Sequence, residues 1–142
     1  MSKLLFLKYL NEMKQLFRPG EKKFYQTEVT PDKTASFDSG EVHPFYSTFA
    51  LARDAEWACR MFVLDMKEEG EEGIGISLSI EHLAPALVGA TVTIIATLEE
   101  LIGNKVVCSF RVMEGQRLLA TGNQSQKILS KEKLSRLMTT LR

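Results

Sequence analysis

The sequence predicts an α+β fold, an antiparallel five-stranded sheet wrapped round one long helix. Three observations predict it. One long helical stretch, "STFALARDAEWACRMFVLDMK" (47–67), follows a single strand-like segment and precedes four more. Those later segments alternate apolar and polar residues, as strands do when one face lies in a core and the other in water. Gly103-Asn104 and Glu114-Gly115 supply tight turns between hairpin partners among them.

In chain order, the opening run "MSKLLFLKYLNEMKQLFRPG" places Phe6, Tyr9, Leu10, Met13, Leu16 and Phe17 at helical spacing, and Pro19-Gly20 stops the pattern. Lys8, Asn11 and Glu12 interrupt the apolar run and no small-residue cleavage site follows, so it reads as an amphipathic helix and not a signal peptide. With Leu4, Leu5 and Leu7 added, this helix is too apolar to stand free in water. "KKFYQTEVT" (22–30) reads as the first strand, closed by Pro31-Asp32, and the polar stretch from Lys33 to Pro44 as a loop. Alanines at 50, 52, 55 and 58 let the long helix lie close against a sheet, and "EEGEEG" (68–73) reads as a solvated turn.

Four strands follow as a meander: Ile74–His82, Thr91–Glu100, Lys105–Glu114 and Gln116–Leu129. Ser130 caps a last helix with a stripe of Leu134, Leu137, Met138 and Leu141. The expected organisation is one domain over 1–142, with an appended helix (1–18), a core (21–129) and a C-terminal helix (130–142). A sheet wrapped round a single helix in this order is the hot-dog arrangement.

At 142 residues, 44% hydrophobic and 25% charged, the chain is an ordinary globular domain with about two-thirds of its surface to bury. Eighteen basic and eighteen acidic residues cancel, and no basic stripe is interleaved with aromatics, which argues against a nucleic-acid partner. No uninterrupted apolar run is long enough to span a bilayer, and the expected location is the cytoplasm. Cys59 and Cys108 lie in apolar runs without CxxC spacing or neighbouring histidines; they read as buried thiols, not a disulfide or a metal site.

Chemistry is concentrated in few residues. Ile74, Ile76, Leu78 and Ile80 alternate with small or polar residues, which places His82 on the same face at the rim of the core. An imidazole there either bonds a backbone carbonyl or works on a ligand. Glu56, on the long helix, lies four residues before Arg60 and three after Arg53, the spacing of a surface ion pair. Thr48 stands at the helix start, where a hydroxyl is often only a cap. Together they are a hydroxyl, a carboxylate and an imidazole, the types that activate a nucleophile or a water.

The runs "FYSTFALARDAEWACRM" and "GIGISLSIEHLAPALVG" resemble the fluoroacetyl-CoA thioesterase-like branch of hot-dog thioesterases. That branch uses a threonine, a glutamate eight residues on and a histidine 26 beyond; Thr48, Glu56 and His82 fall on those positions without a gap. "EWAC" around Glu56, Gly75 early in the histidine's strand and Gly89 seven residues past it also match. The resemblance covers about 21–129. The N-terminal helix departs from it, and the 33–44 loop is shorter than the lid of the fluoroacetyl-CoA enzyme.

The resemblance implies hydrolysis of an acyl-CoA to free acid and CoA, without a further cofactor. Thr48, Glu56 and His82 would be catalytic, with Gly75, Phe45 and Val42 bordering the substrate. His82 would act as general base and acid, and Thr48 as nucleophile or water holder. Glu56 would orient the imidazole or activate the water, and the N–H groups at the helix start would hold the oxyanion. Two alternatives remain. One is a hot-dog hydroxyacyl-thioester dehydratase using His43, thirteen residues before Glu56, although "HPFYSTFALARDAE" lacks the Gly/Pro-rich turn of those enzymes and a lone loop histidine is more often exposed and idle. The other is a non-catalytic acyl-CoA binder. Lys105, Arg111 and Arg117 are the cations nearest the site for CoA phosphates. The resemblance also implies a homodimer joined edge to edge with its sites between protomers, which would cover an open sheet edge.

Overall fold

The computed structural model describes residues 16–142. The helix expected over 1–18 lies outside them apart from residues 16–18, which are not helical. The elements are β1 (Lys22–Glu28), a 3-10 turn (Pro31–Lys33), β2 (Thr34–Phe37), β3 (Gly40–Tyr46) and α1 (Thr48–Met66). There follow β4 (Glu71–His82), β5 (Thr91–Ile102), β6 (Lys105–Glu114), β7 (Arg117–Ser130) and α2 (Lys131–Thr140). The main sheet has the order β1-β5-β6-β7-β4, all neighbours antiparallel.

Only β5, β6 and β7 form the expected meander, because β4 pairs with β7 and not with β5. Residues 83–90 carry the chain across. Leu83 N–H donates to the Leu119 carbonyl of β7 at 2.7 Å, and Gly89 N–H to the Val29 carbonyl beyond β1 at 2.8 Å. Gly89 turns with φ of 93°, a left-handed conformation glycine adopts without steric cost. The crossing frees β5 to pair with β1, so both flanks of the sheet curl round α1.

Two further expectations are corrected. The 33–44 loop is a two-stranded ribbon, with Phe37 paired to Gly40, Ser36 to Glu41, Ala35 to His43 and Thr34 to Tyr46. Most of its residues are exposed on both faces, so no apolar alternation marks them as strands. "EEGEEG" is a turn only to Gly70. Glu71 begins β4, is buried, and accepts the Glu68 N–H on its carboxylate at 2.7 Å.

Leu51, Ala55, Ala58, Cys59, Phe62, Val63 and Met66 bury one side of α1 completely, against Val92, Ile94, Ala96 and Leu98 of β5 and Val106, Cys108, Phe110 and Val112 of β6. Ala55 and Ala58 serve as expected, letting the helix approach, while Ala50 and Ala52 are only half-buried. Cys59 and Cys108 are free, buried thiols, and the Cys59 thiol is pushed well up, first by hydrogen bonding with Cys108 and then by burial. α2 starts at its expected cap, with Ser130 Oγ accepting from Lys133 N–H at 3.0 Å, while Leu137, Met138 and Leu141 stay exposed.

The α1 N-terminus is held by a polar knot that sequence patterning did not reveal. Asp54 is buried, receives the Tyr46 hydroxyl at 2.5 Å, and pairs with Lys33 at 2.9 Å. Lys33 also donates to Thr27 Oγ1, and its carbonyl accepts the Ser47 N–H. Burial and the Asp54 bond push the Tyr46 phenol up, so it remains a donor. Removing one partner of such a pair strands the rest. Asp54→Ala is therefore expected to lower stability by about 3 kcal/mol, read as a fall in the urea midpoint. A midpoint within error of the parent's would show that the knot contributes nothing.

Candidate active site

β4 runs antiparallel to α1 and delivers the site. Gly73 lies against Val63, Gly75 against Glu56 and His82 against Thr48. The strand does not keep one alternation throughout. Gly75 pairs with Gln126 and Ser77 with Ser125, so Ile76 is an extra residue at a bulge. Before it the helix-facing residues are odd, Glu71, Gly73 and Gly75. After it Leu78, Ile80 and His82 pair with Gln124, Gly122 and Ala120 on the helix side. His82 is on the expected face; Ile74 is on the opposite one, because the bulge reverses the parity between them.

Thr48 Oγ1 is 2.9 Å from His82 Nδ1. The hydroxyl is free for this contact because the helix cap is Ser47, whose Oγ accepts the Ala50 N–H at 3.1 Å. The N–H groups of Thr48 and Phe49 have no partner among the described residues, so two donors and the positive end of the α1 dipole remain beside the dyad. His82 Nε2 is buried and makes no hydrogen bond among the described residues. When Nδ1 accepts from the Thr48 hydroxyl, the neutral ring carries its proton on Nε2.

Burial holds the His82 pKa below its usual value, with the Ala84 backbone opposing and the His43 ring adding to the lowering. The neutral base is therefore present at neutral pH. Activity is expected to rise with pH along a limb whose midpoint lies below 6.5, the ordinary histidine value. The same shift stabilises the fold above the unfolded-state pKa and is lost as pH falls through it toward the folded value. A kcat/KM profile with its acid limb above 6.5 would contradict this assignment.

Glu56 makes neither of the ion pairs that its spacing suggested. Arg60 pairs with Glu72 at 2.6 Å, and the Glu56 carboxylate instead accepts from Gln124 Nε2 at 3.0 Å. A Cβ on Gly75 would stand 2.4 Å from Glu56 Oε1, so only glycine at 75 lets the carboxylate lie against the strand. Eight helical residues separate Thr48 from Glu56 by about 12 Å along the axis. Within one chain, then, Thr48 and His82 come together and Glu56 does not join them.

Thr48 and His82 border a cavity of about 270 Å³ with His43, Phe45, Tyr46 and the 83–85 segment. Phe45 thus borders the dyad, tied by a bridge to Leu87, whereas Val42 is exposed and outside this lining. The His43 ring is not fully solvent-facing; it is half-buried and lines the cavity beside the dyad. Glu56 lines a separate groove of about 560 Å³ with Tyr25, Phe49 and Trp57 and the cations Lys33, Arg53 and Arg60. Of the three cations expected near the substrate, Arg117 comes nearest, donating to the Pro85 carbonyl and to Glu114, each at 2.6 Å. Arg111 lies on the outer sheet face beside Ser79 and Glu81, and Lys105 is at the far end of β6. Sequence reasoning missed Gln124, a buried polar residue on the helix-facing side of β7 whose only signal is its polarity there.

Residues 29–132 match the family model of the fluoroacetyl-CoA-specific thioesterase. The fluoroacetyl-CoA thioesterase of Streptantibioticus cattleyicolor is 27% identical over 129 residues, covering 87% of this chain and 93% of that protein. A crystallised thioesterase-superfamily protein of Thermus thermophilus superposes with a TM-score of 0.85 at 36% identity, over 89% of this chain and 94% of its own. A hot-dog-like protein from Thermanaerovibrio acidaminovorans gives 0.79 at 25% identity, over 89% and 93%. A hydroxyl bonded to an imidazole at a helix N-terminus, on a hot-dog sheet that matches over these lengths, leads to one assignment: the chain belongs to the fluoroacetyl-CoA thioesterase family, and it is a thioesterase.

Proposed function

We propose that the protein is a cytoplasmic, homodimeric acyl-CoA thioesterase whose site combines Thr48 and His82 of one protomer with Glu56 of the partner subunit. The observation that carries the chemistry is the 2.9 Å contact between Thr48 Oγ1 and His82 Nδ1 at the α1 N-terminus. Nδ1 takes the proton of the Thr48 hydroxyl, or of a water that the hydroxyl holds, as oxygen attacks the thioester carbonyl. The free first-turn N–H groups hold the oxyanion. The imidazolium then returns the proton to the departing CoA thiolate. Attack by the held water leaves free acid and CoA directly, whereas attack by Thr48 leaves an acyl-threonine that a water, giving its proton to the same nitrogen, hydrolyses to the free acid. A carboxylate near the ring stabilises its charged form during the transfer.

The shared site is supported by β4. It is an edge strand of twelve residues, free of charge from Gly73 to Ile80, with Ile74, Ile76 and Leu78 exposed, whereas the opposite edge, β1, carries Lys22 and Lys23. An uncharged edge of that length is a template for pairing. Antiparallel pairing of two β4 strands about a two-fold axis at Ser79 pairs Ser77 with the partner's Glu81 and, past the extra Ile76 of the bulge, sets His82 opposite the partner's Gly75, against which Glu56 lies. The buried free thiols fit a reducing compartment. Among the described residues no helix is long and apolar enough to cross a membrane.

The test is release of free thiol from a panel of short, branched and aromatic acyl-CoAs, with light scattering at micromolar concentration. Thiol release by a dimer is the expected result. An active monomer of 16.0 kDa overturns the shared site, and hydration of an enoyl-CoA without thiol release overturns the hydrolase. His43 and Glu56, the pair a dehydratase would need, line different cavities.

A further inference from the structure

Among the described residues, no carboxylate, lysine or arginine lines the 270 Å³ cavity beside the dyad. Its walls are Phe45, Leu83, Ala84 and Pro85, with the Tyr46 phenol engaged by Asp54 and Thr48 engaged by His82. Besides the buried Nε2 of the catalytic His82, one side-chain polar group lining it is uncommitted among the described residues. The Phe45 N–H donates to His43 Nδ1 at 3.2 Å, so Nδ1 is an acceptor and the proton of the neutral ring is on Nε2. Among the described residues the ring's one hydrogen bond is this one at Nδ1, and Nε2 makes none.

The ring is held in place. His43 is paired to Ala35 between two register shifts of the β2–β3 ribbon, precedes Pro44, and its ring stacks obliquely on Phe45 with centroids 5.5 Å apart. The strand is anchored at the end of that stack and just beyond it, by the Phe45–Leu87 bridge and by the Tyr46 N–H on the Ala86 carbonyl. His43 and His82 line the same cavity, which puts the two rings within reach of one ligand.

We propose that His43 selects the acyl group: its Nε2–H donates to an oxygen carried by a short acyl chain close to the thioester, as in a hydroxyacyl- or oxoacyl-CoA. This rests on the thioesterase reading. The oxyanion is already served by the α1 N-terminus, so a further donor beside the dyad addresses the acyl chain. The CoA arm, with its phosphates, finds no cation in this cavity and three, Lys33, Arg53 and Arg60, in the larger groove. Apolar walls with a fixed donor outside the dyad and the oxyanion groups favour a ligand that satisfies that donor over a plain alkyl chain that strands it.

The experiment compares kcat/KM for 3-hydroxybutyryl-CoA and butyryl-CoA, substrates of equal chain length. In the wild-type dimer the ratio is expected to favour the hydroxyacyl substrate by about tenfold, the worth of one neutral hydrogen bond in a partly dry site. His43→Phe keeps a ring and removes the donor, and the ratio falls to near one; His43→Gln restores part of it. His43→Leu serves as the apolar variant where His43→Phe fails to fold. A wild-type ratio at or below one overturns the proposal. So does an unchanged ratio in the apolar variant with both substrates slowed equally, which marks a purely structural histidine. Release of no thiol from any acyl-CoA overturns the thioesterase reading and this proposal together.

Discussion

His82→Ala is expected to lower turnover on the best acyl-CoA at least about a hundredfold, since a positioned acid–base group contributes roughly 10² to 10⁴ in rate. The fold survives the change, because His82 is the last residue of β4, is only half-buried, and among the described residues its one side-chain hydrogen bond is to Thr48. Thr48→Val, which keeps shape and loses the hydroxyl, is expected to fall comparably, while Thr48→Ser retains much of the rate. A burst of CoA ahead of the steady state in the parent protein marks Thr48 as a covalent nucleophile; linear release marks a held water. Near-normal turnover in His82→Ala, with circular dichroism unchanged, would falsify the dyad.

The second large effect comes from mixing defects. If Glu56 serves the neighbouring protomer's dyad, His82→Ala and Glu56→Gln homodimers are each nearly inactive. A heterodimer of the two carries one site that lacks both residues and one with neither changed. Random mixing of equal amounts makes half the dimers mixed, so activity is expected to recover to about a quarter of wild type. Co-expression with two affinity tags and a thiol-release assay measures it. No recovery, in mixed dimers confirmed by tandem purification, places all three residues in the service of one chain.

What the sequence revealed and what it hid follow from the range of the interactions. α1 and α2 were legible because cap, apolar period and stop signal lie within a few residues of one another. The strand order was not, because β4 pairs with β7 some 50 residues on and no local pattern distinguishes that partner from β5. The ribbon was read as loop since strands exposed on both sides carry no alternation. Ile74 was assigned to the wrong face because one inserted residue, Ile76, breaks the parity that the reading assumed. Thr48 and His82 were individually weak: each is a common residue in a common place, and only the family spacing singled them out. Their 2.9 Å contact closes across 34 residues of chain, a distance over which residue types alone say nothing. The knot at Asp54 was invisible for the same reason, its partners Lys33 and Tyr46 lying on other elements.

The two cysteines, Cys59 and Cys108, the whole thiol complement of the chain, have a practical consequence at the bench. Both are fully enclosed, and the Cys59 thiol is held in its protonated, unreactive form. A chromogenic disulfide reagent added to the folded protein therefore finds no protein sulfur, and the colour it develops with an acyl-CoA reports only the CoA set free. Add denaturant, and two sulfurs per chain become titratable. The same cuvette that follows turnover then counts unfolded molecules, giving a variant's rate and its intact fraction from one reagent.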